Sequence, residues 1–298
     1  MAAAAEPAPA RRSVGRRLAD LLHGKPRTQR SLLLAAPVGW LGIFYLGSLA
    51  VLFLAAFWRL DAFSGQIVHS YGTSNFETLI NNDVYRSIVF RTVGIAAAVT
   101  VTDALLALPI AFYMAKVATP RIRSILVVAI LMPLWSFYLV KVYAWYVMLN
   151  SGGVINWALG PIGAHGPGFG TTAVWLVMSY LWLPFMILPI YAGLERIPDS
   201  LLAASQDLGA GPGTTFRRVV LPLVFPAVVA GSIFTFSLTL GDYISPSIVA
   251  PNTQFIGNVV FNNITNNLPL ASAYACVPIA IMVVYLLIAR RLGAFEHL

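Results

Sequence analysis

The chain has 298 residues, of which 58% are hydrophobic and 10% charged, with a formal net charge of +8; a soluble domain of this size has no use for so much apolar surface, so the composition identifies an integral membrane protein. The basic residues fall at the ends of apolar runs, where they act as orientation signals, which argues against nucleic-acid binding as the source of the charge. One cysteine, Cys276, lies inside an apolar run, which excludes a disulfide framework and argues against a cysteine-type metal site.

Residues 1–30 are rich in Ala, Pro and Arg and read as a basic N-terminal tail, with a short amphipathic helix over 16–22. Two arginine pairs precede the first apolar run, but that run is too long for a signal core and no small-residue cleavage site follows it, so the tail is expected to be retained. A spanning helix takes about 20 apolar residues. Spans are predicted over 32–58, 87–115, 122–149, 171–193, 225–248 and 271–292, giving one polytopic domain over 31–298. Pro37, Pro109, Pro133, Pro184, Pro189 and Pro278 fall within these spans, as in helices whose freed carbonyls are satisfied by neighbouring protein along a pathway, although inert bundles contain such kinks too.

Lys and Arg alternate sharply between the loops. One side collects the basic tail, then Lys116, Arg121 and Arg123, then Arg196, Arg217 and Arg218, then Arg290 and Arg291; loops 150–170 and 249–270 on the other side contain no Lys or Arg. Both termini and the loop at about 195–222 are therefore expected in the cytoplasm. The opposite loops are rich in Gly and Asn and large enough for a docking rim.

Catalytic and nucleotide-binding signatures are missing. The sequence has no G-x-x-x-x-G-K-[ST], and the fragment "HGKP" at 23–26 lacks the glycine spacing that cradles phosphate. The four histidines, His23, His69, His165 and His297, are scattered without metal spacing, and no G-x-S-x-G is present. Transport is the class that remains.

Within the loop at 195–222, Asp199 or Ser200 is placed to cap a helix over "LLAASQDL", Gly209 to stop it, "GAGPG" at 209–213 to bend the chain, and Thr214 to cap a second short helix over "TTFRRVV". Leu201, Leu202, Ser205 and Leu208 share one face of the first helix, with Gln206 and Asp207 to the other side. That ridge either enters a partner's groove or folds back on the bundle's own ends.

The loop resembles the EAA signature of permeases of binding-protein-dependent ABC importers, E-A-A, three residues, G, nine residues, I-x-L-P. Ala203-Ala204-Ser205 stands in the E-A-A place, Gly209 follows at the right distance, and Val219-Val220-Leu221-Pro222 closes it. Ala203 replaces the usual Glu, and Ser205 an Ala. "LMPLWSFYLVKVYAW" at 131–145, "FSLTLGDYISPSIV" at 236–249 and "IGNVVFNNITNNLPLASAYA" at 256–275 are similar to polyamine-type permeases of that family.

The resemblance implies an all-α, six-transmembrane-helix type I ABC importer permease in a bacterial inner membrane. It also implies a second permease subunit, two ATP-binding subunits carrying ATP and Mg, an extracytoplasmic solute-binding protein, and no cofactor or enzymatic activity in this chain. Leu201, Leu202, Ala203, Ala204, Ser205, Asp207, Leu208, Gly209, Gly211 and Gly213 then form the element that couples to the ATPase.

For a cationic substrate such as spermidine or putrescine, Asp242 with Tyr243, Trp135 and Tyr138 would provide a carboxylate and aromatic faces; the alternative for Asp242 is to cap a broken helix before Pro246. Asp103, in the second span, is a further candidate because intramembrane ionisable groups are costly. Lys141 would repel a polyamine and reads as structural. Another small organic solute (thiamine, a phosphonate, an opine or an amino-acid derivative) and a stand-alone secondary transporter are the alternatives.

Overall fold

The computed structural model describes residues 34, 35, 37–61 and 63–291; the tail expected over 1–30 lies outside them. The chain separates into two units, 1–54 and 55–298. In the first, helix α1 (Pro37–Ala55) is apolar all round and nearly all of its side chains are exposed, as suits a helix whose solvent is hydrocarbon.

The second unit opens with a small hairpin, β1 (Arg59–Leu60) paired antiparallel with β2 (Ile67–Val68), and a short helix α2 (Ser74–Asn81). Long apolar helices follow. Helix α3 (Asp83–Val117) starts where the Asn82 side chain accepts the Val84 N–H at 2.9 Å and ends in a π-helical turn at Tyr113–Val117. Helix α4 (Pro120–Trp135) has Thr119 as its cap and Pro120 in the first turn, where its missing N–H costs nothing. Helix α5 (Tyr138–Leu149) leads to the short α6 (Val154–Leu159), and α7 (Thr171–Glu195) returns. Then come α8 (Asp199–Asp207), α9 (Pro212–Gly241), α10 (Ile244–Val249), α11 (Ile256–Asn263) and α12 (Leu268–Arg291). Among the described residues five helices are long and apolar enough to cross a membrane, or six if the bent pair α4 and α5 is one span.

Two predicted spans are not continuous. The span drawn over 122–149 turns by 93° between α4 and α5. Pro133 withholds an N–H, Ser136 Oγ donates to Pro133 O at 2.8 Å, and Lys141 Nζ donates to the same carbonyl at 3.0 Å, so the acceptor freed by the break is satisfied inside the protein. Lys141 is thereby tied to the bend between α4 and α5. The span drawn over 225–248 stops at Gly241, and Asp242 leaves the helix with φ −73° and ψ 121° before α10 begins.

Helices α3, α7 and α9 pack on one another as the central layer. One buried cluster joins Val99, Val174, Val177 and Met178 to Val142 and Val249; another, at the basic end, joins Ala107, Ala111, Met186, Ile190 and Leu194 to Val220 and Val224. The α7–α9 seam is close because glycines face it. A Cβ on Gly193 would stand 2.6 Å from Ala227 Cβ, and one on Gly231 would stand 2.8 Å from Met186 Sδ. Cys276 is packing with a weak bond, its thiol donating to Ser272 O at 3.3 Å.

Candidate functional site

The loop between α7 and α9 is built on Lys116, the last basic residue of α3. Its ammonium donates to Ile197 O at 2.6 Å and to Asp199 Oδ1 at 2.8 Å, fixing the start of α8. Asp199 is therefore an ion-pair partner of Lys116, and Pro198 occupies the cap position, where no side chain caps the free N–H groups; the capping expected of Asp199 or Ser200 is not what the local geometry uses. The hydrogen bond and charge of Lys116 hold the Asp199 carboxyl below its ordinary range.

At the other end of α8, Gly209 adopts φ +79°, the left-handed conformation that glycine takes without a steric cost. Its N–H donates to Gln206 O at 2.8 Å and the next N–H, of Ala210, to Ser205 O at 3.1 Å, the pairing of a Schellman termination. Gly211 and Gly213 are not left-handed and a Cβ on either meets nothing within 4 Å, so Gly209 alone requires glycine. The second arm is not a separate short helix capped by Thr214. Gly211 is the cap, Pro212 the first residue, and α9 runs on through a π-helical turn at Phe216–Val220. Ser205 and Thr215 share a hydrogen bond of 2.9 Å that closes the corner.

The apolar ridge is divided. Leu202 packs among the buried residues at the basic end, which include Ile197 and Val220, and Ser205 turns inward to Thr215; Leu208 is 89% exposed. The ridge thus folds back in part, while Leu201 and Leu208 stay exposed. Ala203, Ala204, Gln206 and Asp207 are exposed with them. Ala203 and Asp207 stand four residues apart on one face, about 6 Å along the axis, so the Asp207 carboxylate shares a face with the position where the signature has Glu, with no rotation of the helix.

At the opposite end, the residues proposed for a substrate path separate into two groups. Tyr138, at the start of α5, donates its hydroxyl hydrogen to Asp242 Oδ2 at 2.5 Å and lies 2.6 Å from Ser245 Oγ; with the phenol proton committed to Asp242, Ser245 is the donor to Tyr138. Asp242 Oδ1 accepts the N–H groups of Ile244 at 2.9 Å and Ser245 at 3.2 Å. Asp242 therefore caps α10, the alternative weighed for it, while joining the break in the α4–α5 span to the break after α9. The indole of Trp182 stacks at 6.0 Å on Tyr138.

Tyr243, by contrast, stacks on Phe261 at 4.5 Å, and Trp135 is 89% exposed at the end of α4. Asp103 is 0% exposed, between α3 and α7, with Ser179 as its polar neighbour and no hydrogen bond of ordinary geometry to its carboxylate among the described residues. Neither Trp135 nor Asp103 joins Asp242. Ser245 and Lys116 carry contacts that sequence reasoning missed; the signals available were the Ser-Pro after Asp-Tyr and a lysine facing an aspartate 83 positions away. Among the described residues no group of His, Cys, Asp and Glu is arranged to hold a metal.

Comparison with known proteins decides the family. The model for the binding-protein-dependent transport system inner membrane component matches residues 90–295. The chain belongs to this family. The inner membrane ABC transporter permease protein YdcU of Escherichia coli K12 is 43% identical over 284 residues, 90% of either chain. The spermidine/putrescine transport system permease protein PotB of Haemophilus influenzae is 31% identical over 203 residues, 66% of this chain and 71% of its own.

A solved bacterial ABC transporter involved in the import of the acidic polysaccharide alginate superposes with a TM-score of 0.69 at 18% identity, over 92% of this chain and 99% of that one. Bacterial alginate ABC transporter in complex with alginate pentasaccharide-bound periplasmic protein gives 0.72 at 17% identity, over 90% and 96%. These two show a shared fold. This member of the binding-protein-dependent family is a multi-pass inner-membrane permease subunit of an ABC importer.

Proposed function

We propose that this permease carries polyamines, spermidine or putrescine, with a second permease subunit, two ATP-binding subunits that hold ATP and Mg, and an extracytoplasmic solute-binding protein. The observation that carries the substrate is the similarity to PotB, named for spermidine and putrescine, across 203 residues. The basic end of the bundle faces the cytoplasm in this reading, because Lys116, Arg123, Arg196, Arg217, Arg218 and Arg291 flank the helix ends there.

Helix α8 with its Gly209 corner docks on an ATP-binding subunit. Movement of that subunit reaches α9 directly, since the corner continues into it, and reaches α7 through Lys116, Ile197 and the α7–α9 seam. Such a transition requires the ATPase to contact α8 differently in its two states.

The deciding measurement is ATP hydrolysis by the reconstituted transporter with its binding protein loaded with putrescine, spermidine or an unrelated solute. Stimulation confined to the polyamines is expected. Stimulation by an unrelated solute alone would replace the polyamine reading while keeping the importer.

A further inference from the structure

At the basic end, the seam between α7 and α9 opens on one side into a groove of about 670 Å³. Pro189 and Ala192 of α7, Pro226 and Ala230 of α9 and Leu201 of α8 line it, and Arg196 is the only charged residue among the described residues that does so. From Pro189 to Arg196 a helix rises about 10 Å, so the groove runs about two turns along the apolar span from its basic end.

The charges around the mouth are unequal in their commitments. Lys116 is paired with Asp199 at 2.8 Å and Arg123 with Glu195 at 3.5 Å. The Arg196 side chain has no ion pair or hydrogen bond among the described residues, and the residue is exposed. The first turn of α8 beside it carries its own carboxylate, Asp199, and the Leu201 N–H donates to Pro198 O at 3.1 Å. An unpaired guanidinium at the edge of an apolar slot in a membrane protein forms an anion site with a hydrocarbon extension. A soluble anion would leave the slot empty, and a neutral lipid would leave Arg196 without a counter-charge.

We infer that this groove binds one anionic phospholipid, its phosphate on Arg196 and one acyl chain between α7 and α9. The lipid then touches the α7–α9 seam and the foot of α8 together, so that the composition of the leaflet acts on the element that joins the spans to the loop. The inference is independent of the transported solute.

The test uses the affinity-tagged full chain purified with its partner subunits, partly delipidated, with lipid binding followed by native mass spectrometry. Phosphatidylglycerol is expected to be retained about fivefold over phosphatidylcholine, the effect of one basic residue at a membrane surface. Arg196→Gln should abolish that preference and Arg196→Lys keep it, while Ala192→Phe, which fills the groove from an exposed wall, should lower retention of both lipids with the melting temperature unchanged. Free glycerol phosphate should not displace the lipid. Equal retention of the two lipids, a preference that survives Arg196→Gln, displacement by glycerol phosphate, or a disulfide-length cross-link from Ala192→Cys to another subunit would each overturn the assignment.

Discussion

The hydroxyl of Tyr138 donates to the carboxylate of Asp242 across the two breaks in the apolar helices. With two backbone N–H groups on the other oxygen, the carboxylate already has three donors. It acts first as a clamp between α5 and α10, and a cation approaching it competes with the protein's own groups.

Asp242→Asn is therefore expected to lower thermal stability more than it raises the KM for solute. Tyr138→Phe should cost about 1.5–3 kcal/mol, as for a hydrogen bond to a charged group, read as a drop in melting temperature of the purified transporter. An Asp242→Asn variant with native melting and a tenfold weaker solute response would instead make the carboxylate a direct ligand.

The glycines of the corner make a sharper comparison. Gly209→Ala forces a side chain into a left-handed conformation at about 1–2 kcal/mol and should uncouple ATP hydrolysis from uptake. Gly211→Ala and Gly213→Ala have open space and an ordinary backbone, and should transport normally. Equal losses in the three variants would show that the corner works by flexibility and not by its one left-handed residue.

Asp207 shares an exposed face of α8 with Ala203. Asp207→Asn should weaken ATPase association, measured as the salt concentration at which the subunits separate, and Ala203→Glu added to Asp207→Asn should restore it. Failure of the added glutamate to restore association would leave Leu208 as the main contact.

The Lys116–Asp199 pair has a defined pH response. The carboxyl is lowered in the folded protein, so its contribution is complete above the ordinary aspartate range and is lost as pH falls through the lowered value. Hydrogen-exchange protection of 199–209 should stay level from about pH 8 to about pH 5 and decline only below about pH 4. Lys116→Met should remove the protection at neutral pH.

The existence of the long helices was legible because each needs only an unbroken apolar run. The breaks were not. The stretch around Ser136 is as apolar as the helices on either side, and what turns it is a shared acceptor, Pro133 O, taken by Ser136 and Lys141. Gly209 was readable as a stop because its role is local. Asp199 was not, since its partner lies on α3 and outcompetes the helix's own N–H groups for the carboxylate. Tyr138 and Asp242 were named together from their chemistry, but the third member, Ser245, lies at the start of α10, whose position against α5 only the fold reveals.

That α9 stays helical from Pro212 to Gly241, its π-helical turn included, makes it a lever. Thirty helical residues extend about 45 Å, so a tilt of about 5° at the foot sweeps the far end through about 4 Å. The far end is Gly241, one residue before the clamp on Asp242, so under the proposed coupling a small rocking at the basic end would load the Tyr138 bond that ties Asp242 to α5.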